Sequence, residues 1–68
     1  MQIKDITASE ATVILTNDEL AFIRSAIGEA IEAVEEWEFP IRTSWTHEQA
    51  WKIQKQFGSL YDKTKKQA

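Results

Sequence analysis

The sequence predicts a small α+β domain, a two-stranded antiparallel hairpin followed by two antiparallel helices in the order ββαα. Three observations carry this. Apolar residues recur at the helical period from Leu20 to Val34. A β-branched run, Thr12-Val13-Ile14-Leu15, stands directly ahead of a capping box at Thr16 and Glu19. A second box, Thr46 with Gln49, opens another apolar stripe.

The hairpin is expected to pair Gln2–Thr7 with Ala11–Leu15, with Ala8-Ser9-Glu10 as the turn. In the first strand Met1, Ile3 and Ile6 fit neither the period of a strand nor that of a helix. Two strands alone are barely stable, and their unpaired edge is a natural place for a second copy to dock.

The first helix is expected from Asn17 to Trp37 or Glu38. Leu20, Ile23, Ile27, Ile31 and Val34 form its stripe, and Phe22, Ala26 and Ala33 widen it on one flank. Leu15 can staple to Leu20, and Asp18 and Glu19 suit the positive end of the dipole. Pro40 is expected to end the helix, because a residue before proline is driven out of the helical region. Glu29, Glu32 and Glu36 follow one another at helical spacing on the opposite face, and Glu35 and Glu38 crowd the negative end of the dipole.

Phe39 to Trp45 reads as a tight connection in which Phe39 and Ile41 tuck inward and Arg42 reaches the glutamates. The second helix starts at Thr46 and carries Ala50, Ile53, Phe57, Leu60 and Tyr61 as its stripe, with Gly58 inside the pattern. Trp51 falls out of phase, among His47, Gln54, Lys55 and Gly58, and is a candidate contact residue. The expected core is Val13, Leu15, Leu20, Ile23, Ile27, Ile31, Val34, Phe39, Ile53, Phe57 and Leu60. Residues 1–62 are expected to form the single domain and 63–68 a flexible basic tail.

The 68 residues suffice for one domain, and a chain of this size buries only about 60% of its unfolded surface, so dimerisation would help it. With no cysteine there is no disulfide framework. No apolar run is long enough to cross a bilayer and the first residues do not read as a signal peptide, so a cytoplasmic location is expected. The net charge of −3 conceals a polarity. Thr16–Phe39 holds seven acids and one arginine, whereas Thr46–Ala68 holds five lysines against two acids.

Catalysis is not expected. A lone histidine, His47, does not build a zinc site, and it reads as a surface residue near a helix cap. The two glycines are too far apart for a phosphate loop, and the serines lack nucleophile signatures. Glu29 and Glu32 have no enclosed pocket to separate their pKa values. No cofactor or metal is implied. Lys52, Lys55, Lys63, Lys65 and Lys66, with Trp51 and Tyr61 among them, leave a nucleic-acid role as a minor alternative, opposed by the acidic face.

Four short segments, Asp18-Glu19-Leu20, Ala26-Ile27-Gly28-Glu29-Ala30-Ile31, Glu38-Phe39-Pro40-Ile41-Arg42-Thr43 and Thr46-His47-Glu48-Gln49, resemble motifs of a group of small bacterial proteins of uncharacterised function. The resemblance spans Val13 to Leu60 and implies a compact ββαα module without an attached activity. Ser44 stands where that pattern has a turn glycine, and Gly28 where it often has an asparagine.

The functional expectation is a small acidic protein-interaction module. It is expected to act as an immunity or antitoxin-like inhibitor that binds a basic protein, such as a toxin, through Glu29, Glu32 and Glu36, with Trp51 as an apolar anchor. The alternative is a homodimeric structural or adaptor domain joined through Trp51 or the strand edge.

Overall fold

The computed structural model describes residues 1–67. Strands β1 (Gln2–Ile6) and β2 (Ala11–Ile14) form a two-stranded antiparallel sheet, followed by helices α1 (Asn17–Ala33), α2 (Phe39–Thr43) and α3 (His47–Lys66). The fold is α+β, with three helices where two were expected, the middle one a single short turn.

The hairpin resolves the odd spacing of β1. Ile3 pairs with Val13 and Asp5 with Thr12, so Lys4 is an extra residue in a β-bulge. Ile3 and Ile6 stand three apart and would face opposite sides of a regular strand. The bulge brings both to the face of their partners Val13 and Ala11. Gln2, Asp5, Thr12 and Ile14 occupy the other face. The turn closes on Thr7, whose backbone N–H donates to Glu10 O at 2.9 Å and whose Oγ1 accepts from Glu10 N at 3.1 Å. The sheet is amphipathic, yet its apolar face is uncovered: Ile3, Ile6 and Val13 are all exposed. Val13 is therefore not a core residue, because no helix packs on the sheet as a layer.

At the start of α1 the capping box forms as expected, with Glu19 N donating to Thr16 Oγ1 at 3.2 Å and Thr16 N to Glu19 Oε1 at 2.9 Å. The Met1 amino group also pairs with Glu19, tying the start of β1 to the start of α1. That ammonium first, and the Thr16 N–H second, hold the Glu19 carboxyl below its ordinary pKa.

The end of α1 differs from expectation. The helix stops at Ala33, and Val34 is extended (φ −115°, ψ 128°). Two causes coincide. No basic residue stands in the last turn of α1, and continuing the helix would carry Glu35, Glu36 and Glu38 into its negative end. Stopping early leaves Glu38 at the N-cap of α2 instead, where the dipole favours it. Pro40 consequently does not terminate a helix but lies in the first turn of one, where its missing N–H has no bond to lose. Ile41 is 74% exposed while Phe39 is 3% exposed. In an extended connection residues two apart share a side, but in a helix they point about 200° apart, so only one of the pair can reach the core.

Helices α1 and α3 supply the main packing between elements besides the hairpin. His47 Nε2 meets Val34 O at 2.9 Å, Gln54 Nε2 donates to Arg24 O at 3.3 Å, and the Arg24 guanidinium lies 5.1 Å from the Tyr61 ring centre. Low numbers on α3 thus meet high numbers on α1. The Gln54 side chain lies against Gly28, where an added Cβ would stand 2.7 Å from Gln54 Nε2. The space at Gly58 is taken up by Arg24, whose Cδ would lie 3.3 Å from an added Cβ.

Among the described residues only Leu20, Phe39 and Ala50 are buried; Leu15, Ile23, Ile27, Ile31, Val34, Ile53 and Phe57 are half-buried, and Leu60 is exposed. Leu60 follows Ile53 by seven residues and so shares its flank of α3, but it is 47% exposed. Helix α3 also runs to Lys66, through most of the segment expected as a tail, while residue 68 lies outside the described residues. Lys63, Lys65 and Lys66 suit the negative end of that helix, and Lys65 Nζ lies 5.3 Å from the Tyr61 ring centre.

Candidate functional site

Two stripes on α1 divide its work. Leu20, Ile23, Ile27 and Ile31 turn towards α3, whereas Phe22, Ala26 and Ala30 run down the neighbouring flank. On α3 the flank of Ile53 lies on the same side. Between them opens an apolar groove of about 410 Å³, closed at one end by Phe39, Thr43 and Trp45. The short helix makes that end wall. It begins on the buried Phe39 and ends at Ser44, whose left-handed backbone (φ 68°, ψ 9°) turns the chain so that Trp45 returns over the groove. The His47 ring packs edge-on against Phe39, with centroids 4.5 Å apart, and bonds the carbonyl of Val34, the C-cap of α1. His47 is thus a half-buried link between the three helices rather than a surface residue.

Thr43 carries the one hydroxyl in the groove lining, and that hydroxyl is already engaged. It donates to Phe39 O at 2.9 Å and accepts from Trp45 N at 3.1 Å. The groove therefore offers area to apolar side chains and few bonds to a polar ligand. Phe22, 72% exposed, and Trp45, 45% exposed, stand at its edges.

Glu29 follows Phe22 by seven residues, placing it on the rim of the groove, and Glu32 lies further round the same helix. Glu36 sits in the turn after α1 and is not on that helical face. All three are exposed. Among the described residues the ion pairs are Met1–Glu19, Arg42–Glu38 at 2.8 Å and Lys52–Glu48 at 3.7 Å. None joins an α1 carboxylate to an α3 lysine, so the charge polarity of the sequence is not consumed by pairing between the two helices.

Trp51 is half-exposed and stands two residues before Ile53, hence on nearly the opposite side of α3 from the groove. Lys55 Nζ lies 3.9 Å from its ring centre. Trp51 and the glutamate ridge therefore belong to separate faces. The groove residues were missed as a site by sequence reasoning, although a signal existed: the apolar arc of α1, widened by Phe22, Ala26 and Ala33, is broader than one neighbouring helix can cover.

Among the described residues no three His, Asp or Glu side chains gather as a metal site, and no helix is long and apolar enough to cross a membrane. Comparison with protein-family models, with curated proteins and with solved structures finds no match. The class defined by fold and site is a small α+β domain with an apolar groove and an acidic rim.

Proposed function

We propose that this chain is a protein-binding module without catalytic activity, which holds a basic protein surface through the ridge formed by Glu29, Glu32 and, beyond the helix end, Glu36. The supporting observation is that these exposed carboxylates have no cation against them among the described residues. The like charges of Glu29 and Glu32, three residues apart on α1, cost a few tenths of a kcal/mol, a cost that a basic partner converts into attraction. The chemistry matches an immunity or antitoxin-like inhibitor of a nuclease, whose phosphate-binding site is necessarily basic. Trp51 serves as a second, apolar contact on the other face. No cofactor enters this reading, and nucleic acid is disfavoured as a ligand because the ridge repels phosphate.

The test is association with basic nuclease-toxin domains followed by stopped flow at low and high salt, with polylysine as the control for bare charge. The expected result is binding to one such domain well above polylysine, with an association rate that falls as salt shortens the Debye length to about 8 Å or less. Replacing Glu29, Glu32 and Glu36 with glutamine should lower that rate while leaving the fold intact. Unchanged association in the triple variant would show that the ridge is only a solvated surface.

The runner-up is a homodimeric structural or adaptor domain. It is favoured by a different observation, the uncovered apolar groove.

A further inference from the structure

We propose that two copies of this chain pack groove face against groove face, so that the functional unit is a two-layer dimer held by Phe22, Ala26, Trp45, Ile53 and Leu60 of each copy. This is independent of the acidic ridge. It also differs from a dimer joined through Trp51, which lies on the far side of α3.

The first argument is shape. The molecule measures 39 × 31 × 15 Å. Its smallest dimension is less than half of either of the others, so the chain spreads as a flat slab with two broad faces. A stable domain needs at least two layers, because an apolar stripe must be buried against something. The radius of gyration, 13.6 Å, likewise exceeds the value of about 11 Å for a compact domain of this length.

The second argument is area. The accessible surface is 5576 Å² for a 7.8 kDa chain, whereas a compact monomer of that mass exposes about 4,400 Å². The excess, roughly 1,200 Å², is larger than the roughly 800 Å² that each partner contributes to a standard stable interface. Part of it lies on the hairpin face, where Ile3, Ile6 and Val13 are exposed, and part along the groove side, where Phe22, Trp45 and Leu60 are exposed.

The third argument is self-complementarity. The groove carries raised aromatic edges, Phe22 and Trp45, beside a floor of small residues, Ala26, Ala30 and Ala50. Under a two-fold axis the same patch meets itself and every contact occurs twice. An aromatic edge of one copy then enters the alanine floor of the other. A second copy is also the one partner whose concentration always matches that of the chain.

Sedimentation equilibrium of the isolated chain tests the proposal without any other partner, so its failure is distinct from failure of the acidic-ridge reading. The expected mass is twice 7.8 kDa, with little dependence on salt because the contact is apolar. Phe22→Glu should weaken the dimer by more than about tenfold, a factor equivalent to 1.4 kcal/mol. Its side chain is largely exposed within one copy, so far-UV circular dichroism should show the helices retained. Trp51→Ala should leave the mass unchanged. The chain has no cysteine, which permits a second readout that does not depend on an interface-breaking variant. A bismaleimide should link two copies carrying Ala26→Cys and fail to link copies carrying Lys55→Cys. A monomer at high concentration, a dimer indifferent to Phe22→Glu, or linking through position 55 in place of 26 would each overturn the proposal.

Discussion

Replacing Ser44 with glycine is expected to stabilise the protein. Ser44 is the only non-glycine residue with positive φ among the described residues, at φ 68°. An L-residue with a Cβ spends about 1–2 kcal/mol in that region, because the Cβ crowds the following carbonyl oxygen. Glycine avoids this cost but gives back about 0.4–1 kcal/mol through the greater freedom of its unfolded chain. No side-chain hydrogen bond of Ser44 opposes the exchange among the described residues, and its backbone N–H still reaches Pro40 O at 2.9 Å. The net gain is then about 0.5–1 kcal/mol, which raises Tm by about 2–8 °C for a domain of this size. Thermal melts followed by far-UV circular dichroism, at one fixed protein concentration so that self-association does not shift the comparison, measure it. Ser44→Ala retains the Cβ and should melt with the parent, whereas Ser44→Val should melt lower. If Ser44→Gly melts no higher than the parent, or Ser44→Ala gains as much as Ser44→Gly, backbone strain at this turn is not a significant term.

Ile27 is half-buried between α1, α3 and the groove, so Ile27→Ala should cost about 1–3 kcal/mol, less than the 2–5 kcal/mol of a fully buried isoleucine; urea denaturation gives the value. Gly28→Ala should be near neutral, because about 1 kcal/mol of helix propensity is offset by pushing Gln54 off its bond to Arg24 O. In a Gln54→Ala background the same change should recover that gain, and a double-mutant cycle on thermal melts separates the two cases. Glu19 has its pKa lowered in the folded state from 4.5. It therefore contributes stability that is present above the unfolded value and lost as pH falls through the folded one. Glu19→Gln should flatten the stability–pH profile below pH 4.5, as read by denaturation across that range.

The three predictions concerning backbone and caps rest on features of different legibility. Local chemistry determined the caps and the hairpin. Thr16 with Glu19 and Thr46 with Gln49 are satisfied within four residues of chain, and both boxes form. The β-branched run before Thr16 likewise becomes β2. The half-burial of Ile23, Ile27 and Ile31 against α3 also follows from a period that any neighbouring helix would exploit.

Other features depended on competition between distant terms. The apolar period of α1 continued past Ala33 in the sequence, but a helix carried through Glu35, Glu36 and Glu38 would have set those charges against its own dipole. Breaking it allowed Phe39 to be buried and Glu38 to cap a new turn. Proline therefore begins a helix here, because its backbone is tolerated in a first turn and refused in an interior. The bulge at Lys4 was equally hidden, since spacing alone does not tell which strand residue is left unpaired until a partner strand sets the register. The sequence by itself determined which side of each element is apolar. Only the tertiary structure decided how much of that surface is covered, because burial depends on a second surface arriving, and within one copy of this chain the helices supply it on one side alone.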